Sequence, residues 1–311
     1  MPSTLFKTSG LFIGDILFAS SIANRIHQES DVYGDHDVDI QISLLQPLRL
    51  LNNNPYISNV LVPADKIDEG KYDTVINLQP ITSQGIPATN QFQTQANIST
   101  KDQTLGYSVY TDTTDDYLAK LMFQRYREEG KKIICFQQNW EEKSFLFTPD
   151  QYRRGVDIPN LGYGGRRRNI NGIITELSKN DGIQLVKIGK ENGYNQRDSN
   201  ISVINEYSMT ASYIKNADFF IGSEGGLSNL SAGIINGPTC IITTDFIAQL
   251  YGPNGCIRKH EIPTMGPATY FPSSGHTHLN PFLTDLEVVE QILYYINNPD
   301  KSSVYDWRNL S

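Results

Sequence analysis

Cysteine is scarce in this chain of 311 residues, which contains three: Cys135, Cys240 and Cys256. Cys135 and Cys240 lie inside apolar, strand-like runs, where a cysteine behaves as a small hydrophobic residue. An odd number of cysteines without paired spacing predicts neither a disulfide framework nor a zinc site. It favours a reducing compartment, and we expect a cytoplasmic protein.

Long apolar runs are also missing, since none approaches the ~18 residues that are needed to span a bilayer. The first residues, MPSTLFKTSGLFIGDILF, lack the basic segment and the small-residue cleavage site of a signal peptide. We therefore expect them to be part of the folded protein.

Positive charge is in short supply, because 26 Lys and Arg residues stand against 34 Asp and Glu residues and give a formal charge of −8. A nucleic-acid-binding protein usually carries a basic face, so no nucleic-acid partner is expected. The one concentrated basic run is GGRRR, residues 164–168. Such a run is typical of a solvated loop, and the alternative is that one arginine reaches a phosphate.

Strand-like and helix-like segments alternate along the chain, which predicts an α/β fold with βαβ units and parallel sheets. The predicted strands include STLFKTS, DVDIQISLL, a buried YDTVINLQ, KKIICFQQ, IQLVKIG, ADFFIG and TCIITT. The predicted helices include GDILFASSIANRIHQ, a short one opened by Pro47, DDYLAKLMFQRYREEG, RRRNINGIITELSKN, MTASYIKN and a last one with capping-box spacing at Thr284–Glu287. Residues 80–103 are polar and are expected to form a long loop.

A second cycle of strands and helices begins after Gly130, and the chain is long for one domain. We therefore predict two doubly wound, Rossmann-like domains, residues 1–130 and 131–311, which face a central cleft. The last helix belongs to the second domain or packs back on the first. A ligand is expected in the cleft, at the carboxyl ends of the strands.

One joint between a predicted strand and a helix is rich in glycine: DFFIGSEGGLSNLSAGIINGPTCIITT, residues 218–244. The free N–H groups and the positive dipole end of such a helix suit an anion such as a diphosphate. Gly225 and Gly226 let a phosphate approach the backbone where a β-carbon would collide. A tight turn without a ligand explains the same pattern equally well.

A similar joint, KTSGLFIGD, places Gly10, Gly14 and Asp15 between the first strand and the first helix. The plainest explanation of Asp15 is a helix cap that favours the positive end of the dipole. The alternative is a carboxylate that faces the cleft.

Five segments together resemble glycosyltransferase family 9, the lipopolysaccharide heptosyltransferases, which have the GT-B fold. They are GLFIGDILFASSIANRI, NNNPYISNVLV, YDTVINLQ, QNWEEK and YSMTASYIKNADFFIGSEGGLSNLSAGIINGPT. They occur in the family's order over most of the chain. The last is the most specific, because in the family a strand ends there in Asp-Thr-Gly-Leu-x-His.

The resemblance implies an inverting, metal-independent transfer of a sugar from a nucleoside-diphosphate sugar to a glycan or glycolipid hydroxyl, with no further cofactor. It implies at most transient contact with a membrane surface. Asp15 falls on the family's proposed catalytic base, with Gly10 and Gly14 on the acceptor side.

The resemblance also implies a donor site. Gln138, Asn139 and Lys143 fall on the loop that contacts the diphosphate, Tyr207 lines the nucleobase, and Glu191 is a loose candidate for the ribose. The donor signature covers Ser223, Glu224, Gly225, Gly226, Leu227 and Asn229. Glu224, Gly225 and Asn229 replace the family's Asp, Thr and His, and Gln138 and Asn139 replace two threonines. Backbone amides and Lys143 can still hold a diphosphate, whereas the choice of sugar and nucleotide can differ.

Several alternatives stay open. A sugar-nucleotide epimerase, or a nucleotide- or glycan-binding module that no longer catalyses, fits the same fold. A dinucleotide oxidoreductase is disfavoured because Gly-x-Gly-x-x-Gly does not follow the first strand. A metal-dependent transferase would use Asp35, Asp37 and Asp39, but an acidic turn is the usual explanation of that pattern. His276 and His278 have no obvious third ligand and are expected in a surface or acceptor-side loop.

Overall fold

A computed structural model describes residues 2–8, 11, 13–29, 36–45, 47–62, 65–79, 88–98, 109–137, 145–147, 166–168, 170–188, 207–222, 226–234, 239–242, 276–278 and 284–298. The strands are β1 Ser3–Lys7, β2 Asp37–Gln41, β3 Asn59–Leu61, β4 Thr74–Asn77, β5 Lys132–Gln137, β6 Phe145–Phe147, β7 Arg166–Arg168, β8 Ile183–Ile188, β9 Phe219–Gly222, β10 Thr239–Ile242 and β11 His276–His278. The helices are α1 Ile13–Glu29, α2 Leu48–Asn52, α3 Ala88–Gln95, α4 Thr113–Glu128, α5 Asn171–Ser178, α6 Tyr207–Lys215, α7 Gly226–Gly233 and α8 Asp285–Asn297.

The strands form two main sheets, and all the pairings in them are parallel. The first sheet has the order β3-β2-β1-β4, and the second has the order β11-β10-β9-β5-β8. A separate parallel pair joins β6 and β7. The predicted α/β fold with parallel sheets is confirmed.

Two buried clusters hold these layers together. The first contains Phe6 and Ile22 from the N-terminal half together with Ile133, Cys135 and Leu230 from the C-terminal half. Since apolar residues from both halves share one cluster, the two sheets are connected through a continuous core. The backbone N–H of Val109, just before α4, also donates to the carbonyl oxygen of Gly233 at the end of α7.

The second cluster covers the other face of the second sheet. It contains Ile134 and Phe219 from the strands, Ile173 from α5, and Ile292 and Tyr295 from α8. The helix α8 begins with the predicted capping box: the Thr284 hydroxyl accepts from the Glu287 N–H, and the Glu287 carboxylate accepts from the Thr284 N–H. Helix α8 packs against α5.

The structure corrects four local predictions. Helix α3 lies within the predicted loop of residues 80–103, because it packs against α1 and buries Phe92 in a segment without apolar periodicity. Strand β4 is only half-buried, because it is the last strand at one side of the described sheet. Arg166–Arg168 pairs with β6 instead of starting a helix, which begins at Asn171. His276–His278 forms a strand beside β10 instead of a loop.

Candidate functional site

The carboxyl ends of the strands in the second sheet form one edge, as in every parallel sheet. Strand β5 ends there at Gln137 and β9 ends at Gly222. Helices that connect parallel strands run back against them, so α6 and α7 begin at this same edge with Tyr207 and Gly226. We call the surroundings of Gln137, Gly222, Tyr207 and Gly226 the carboxyl-edge site.

One face of the second sheet carries both helices of this site. Side chains alternate along β5, so Ile133, Cys135 and Gln137 share a face. Ile133 and Cys135 belong to the first buried cluster, and the Cys135 thiol donates to the carbonyl oxygen of Tyr213 on α6, with an S–O distance of 3.8 Å. Gln137 therefore lies on the face that α6 covers.

Gly222 ends β9 on this same face. A β-carbon at Gly222 would lie 2.6 Å from Cε1 of Phe220, whose ring is fully buried. The ring of Phe220 therefore fills the space in which a larger residue at position 222 would place its side chain. Any residue larger than glycine at position 222 therefore requires the buried ring of Phe220 to move.

Gln137 is the last residue of β5, and its side chain is 7% exposed. Its neighbour on one side is Ile188, and on the other side the register Phe136–Ile221 places it beside Gly222. No donor in the described part of the chain hydrogen-bonds its Oε1 atom. A buried acceptor is thus present where the sheet meets the glycine joint.

Two of the predicted donor residues pack on the first cluster at this edge. Tyr207, the first residue of α6, and Leu227, the second residue of α7, are both half-buried and contact that cluster. Burial raises the pKa of the Tyr207 phenol above its ordinary value of 10.0. The phenol therefore stays neutral at physiological pH and presents an uncharged ring.

A buried carboxylate fixes the start of α6. Asp115 is 2% exposed and accepts a hydrogen bond of 2.6 Å from the Ser208 hydroxyl. Both oxygens of Asp115 also accept from Nη2 of Arg49, at 3.0 Å each. Helices α2, α4 and α6 are thereby joined directly behind Tyr207. Sequence reasoning missed Asp115, because its partners lie 66 and 93 residues away.

The first glycine joint lies at the carboxyl edge of the first sheet. After β1, the buried Thr8 donates from both its N–H and its hydroxyl to the carbonyl oxygen of Gln41, at 3.1 and 2.8 Å. Helix α1 then begins at Ile13, so Gly14 and Asp15 lie in its first turn. Because α1 packs against α7, the helices that follow the two glycine joints contact each other.

Much of the predicted site lies outside the described residues: Gly10, Gln138, Asn139, Lys143, Glu191, Ser223, Glu224 and Gly225. The side chains of Asp15 and Asn229 are outside them as well, although the backbones of both residues lie in α1 and α7. Sequence reasoning began the polar loop at Gln138 and missed Gln137, although a polar residue that ends a buried strand is a signal of the same kind.

Two aspartates of the Asp-x-Asp pattern lie in strand β2 and not in an acidic turn. Asp37 opens β2 and Asp39 lies within it, while Asp35 is outside the described residues. The carboxylate of Asp39 accepts from Nδ2 of Asn59 at 2.9 Å and from the Tyr72 hydroxyl at 2.6 Å. Among the residues that the structure describes, no cluster of three or more His, Cys, Asp or Glu is placed to hold a metal ion. No helix described here is long and apolar enough to cross a bilayer.

Comparison with known proteins gives matches among solved structures, while no family profile and no curated protein sequence matches the chain. A glycosyl transferase family 9 protein from Veillonella parvula aligns over 95% of this chain and 97% of its own, with a TM-score of 0.59 at 11% identity. The chain has the fold of glycosyltransferase family 9.

Two further structures with this fold are glycosyltransferases from E. coli. ADP-heptose lipopolysaccharide heptosyltransferase II aligns over 96% of this chain and 100% of its own, with a TM-score of 0.53 at 11% identity. The iron-containing dodecameric glycosyltransferase TibC aligns over 96% of this chain and 77% of its own, with a TM-score of 0.51 at 11% identity. The resemblance seen in the sequence motifs is thus confirmed for the fold.

Proposed function

We propose that the chain is a glycosyltransferase that moves a sugar from a nucleoside-diphosphate sugar to a hydroxyl of a glycan or glycolipid. The observation that carries this proposal is the pairing of the two glycine joints. Helices α1 and α7 each follow a joint at the carboxyl edge of a parallel sheet, and they pack against each other. The family 9 resemblance assigns one joint to the acceptor and the other to the donor.

We assign the two sheets to the two domains of a GT-B enzyme, residues 1–130 and 131–311, with the substrates in the cleft between them. The likeness to family 9 structures supports this division, since it extends over 95% or more of the chain. Two substrates that are held in place by two domains react as if they were parts of one molecule. This proximity supplies a large part of the rate gain over the reaction of the free substrates.

The donor diphosphate binds at the start of α7. The first N–H groups of a helix have no partner within the helix, and they add to the positive end of the helix dipole. Gly226 leaves this backbone accessible, and Lys143 supplies a positive charge without a metal ion. Tyr207 provides a neutral aromatic face for the nucleobase. TibC has been solved in complex with ADP-D-β-D-heptose, a donor of this class.

Asp15 acts as the general base. The acceptor oxygen attacks the anomeric carbon of the donor sugar and passes its proton to the Asp15 carboxylate. The bond between that carbon and the diphosphate oxygen breaks on the opposite face, and its electron pair leaves with the nucleoside diphosphate. A single displacement of this kind inverts the anomeric configuration. The acceptor meets the enzyme transiently at the cytoplasmic face of a membrane.

A panel of nucleoside-diphosphate sugars tests this function by thermal shift and by product analysis. A donor at ~100 times its Kd is expected to add ~2.7 kcal/mol of stability. Asp15→Asn is expected to keep this stabilisation and to lose sugar transfer, and EDTA is expected to leave transfer unchanged. Binding without transfer to any glycan acceptor identifies a binding module, and an epimerised sugar formed without acceptor identifies an epimerase. If no nucleotide sugar binds, the proposal is wrong.

A further inference from the structure

The carboxyl-edge site contains a polar group that the donor residues named above do not include. Gln137 is more than nine-tenths buried, and no donor among the described residues reaches its Oε1 atom. Such an arrangement is unfavourable in the ligand-free protein, because a buried carbonyl oxygen loses its water without gaining a partner. A leucine or methionine side chain would fill the same space without that loss.

The neighbours of Gln137 in the sheet cannot satisfy this oxygen with their side chains. Ile188 on one side is apolar and fully buried, and Gly222 on the other side has no side chain. The space above Gly222 is taken by the ring of Phe220 from the same strand. The Oε1 atom, which has no partner among the described residues, therefore belongs to a side chain between two apolar neighbours.

The position of Gln137 relates it to the donor. It is the last residue of its strand, and it lies on the sheet face that α6 covers. Tyr207 begins α6 at this edge, and the glycine joint that leads to Gly226 starts from the adjacent strand. A ligand that stacks on Tyr207 and places its phosphates at the start of α7 occupies the space next to the end of β5.

The chemistry of the oxygen selects which part of the ligand it contacts. A carboxamide oxygen accepts hydrogen bonds and cannot donate them. The diphosphate carries acceptor oxygens only, so it does not satisfy Oε1, whereas the hydroxyl groups of the ribose and of the transferred sugar and the N–H groups of the nucleobase are donors. We propose that Gln137 accepts a hydrogen bond from a hydroxyl or N–H group of the bound nucleotide sugar and that this bond helps to select the donor. This inference rests on the proposed function.

Replacement of Gln137 by an apolar side chain of similar size separates a ligand contact from a structural one. Gln137→Leu and Gln137→Met are compared with the wild-type protein by urea unfolding without ligand and by calorimetric titration. The titrants are the donor nucleotide sugar and its nucleoside diphosphate. We expect an unchanged or higher free energy of unfolding and a roughly tenfold weaker Kd for the nucleotide sugar, which corresponds to ~1.4 kcal/mol.

The two titrants show which part of the donor is bound. If the Kd of the nucleoside diphosphate rises together with that of the nucleotide sugar, the bound group belongs to the nucleoside. If only the Kd of the nucleotide sugar rises, the bound group belongs to the transferred sugar. Either result supports the proposal.

Gln93 provides a matched control. It is fully buried and belongs to α3, a helix that packs against α1. Neither of its amide atoms has a partner in the described part of the chain. Gln93→Leu is therefore expected to keep or raise the free energy of unfolding without changing either Kd.

Unchanged Kd values in both Gln137 variants would overturn the inference, and a lower free energy of unfolding with unchanged Kd values would assign Oε1 to a bond inside the protein. In both cases the wild-type protein still binds the nucleotide sugar. If the wild-type protein binds none, the proposed function itself has failed, so the two failures are distinguishable.

Discussion

The Ser208 hydroxyl donates a 2.6 Å hydrogen bond to the carboxylate of Asp115, a residue 93 positions earlier in the chain. The same carboxylate accepts two bonds from Arg49 on α2. Since Ser208 directly follows Tyr207, this link holds the start of α6 in place relative to the N-terminal half. The position of the proposed nucleobase contact therefore depends on a residue that does not touch the ligand.

Asp115→Asn is expected to lower the free energy of unfolding by ~2 kcal/mol. Removal of one partner from a fully buried ion pair costs about 3–5 kcal/mol, but Arg49 is half-exposed and water can solvate it in the variant. We also expect weaker nucleotide binding, because the start of α6 loses its anchor. Urea unfolding and calorimetric titration measure both effects.

The control for that variant is Glu176→Gln, which removes the exposed ion pair with Lys179. Exposed pairs contribute about 0–1 kcal/mol, so stability and binding are expected to stay nearly constant. If Asp115→Asn resembles this control in both measurements, the carboxylate does not anchor α6.

Gly222→Ala is expected to destabilise the protein by ~1–3 kcal/mol, because the added methyl group collides with the buried ring of Phe220. A double-mutant cycle with Phe220→Leu tests this cause. The double variant is expected to be more stable than the sum of the two single effects predicts, since leucine vacates the space that alanine needs. Strict additivity in urea unfolding would contradict the proposed collision.

Tyr207→Leu is expected to weaken nucleotide binding by roughly 5- to 150-fold, because stacking of a base on an aromatic ring contributes ~1–3 kcal/mol. Tyr207→Phe keeps the ring and is expected to bind as the wild-type protein does. Tyr213, another half-buried tyrosine of α6, contacts Phe123 instead, with ring centroids 5.8 Å apart. Tyr213→Leu is therefore expected to reduce stability and to leave the nucleotide Kd unchanged, and an equal loss of affinity in both leucine variants would contradict stacking on Tyr207.

Alkaline pH is expected to destabilise the first sheet through Tyr72. Burial, together with the hydrogen bond to Asp39, raises the pKa of the Tyr72 phenol from 10.0 to about 12. Between these two values the unfolded chain releases the phenol proton while the folded chain keeps it, so stability falls as pH rises. Tyr72→Phe is expected to have a flatter stability profile in this range, measured by urea unfolding at several pH values. Identical profiles would show that the Tyr72–Asp39 bond does not persist in solution.

The helices and strands that could be predicted from the sequence are those whose burial, start or end is determined by residues close together in the chain. Strands β1, β5 and β9 are apolar runs because both of their faces are covered. Helix α8 begins at Asp285, directly after its cap Thr284, and could be predicted because the capping box lies within four residues of sequence. Helix α4 is followed by Gly130, whose φ of 75° suits a glycine.

The elements that could not be predicted depend on distant partners. Helix α3 is polar in sequence, and its residues Phe92 and Gln93 are buried although α1, which packs against it, is distant in sequence. The backbone of the three arginines of β7 is extended because it pairs with the strand Phe145–Phe147. At the site, the glycine joints and Tyr207 follow from motifs, whereas the buried Gln137 and the Asp115 link arise from contacts between segments far apart in the chain.

The central claim is that the start of α7 binds the diphosphate of the donor, and titration of Gly226→Asp with the nucleoside diphosphate tests it most directly. A carboxylate at the first residue of a helix favours the helix dipole, so the variant is expected to fold with unchanged or higher stability. The same negative charge repels a diphosphate, and the Kd is expected to rise by roughly 100-fold or more, which is about 2.7 kcal/mol. The control is Asn180→Asp, which adds the same charge at an exposed turn and keeps the hydrogen bond from the Gly182 N–H. A folded Gly226→Asp protein that binds the nucleoside diphosphate as tightly as this control would contradict the account.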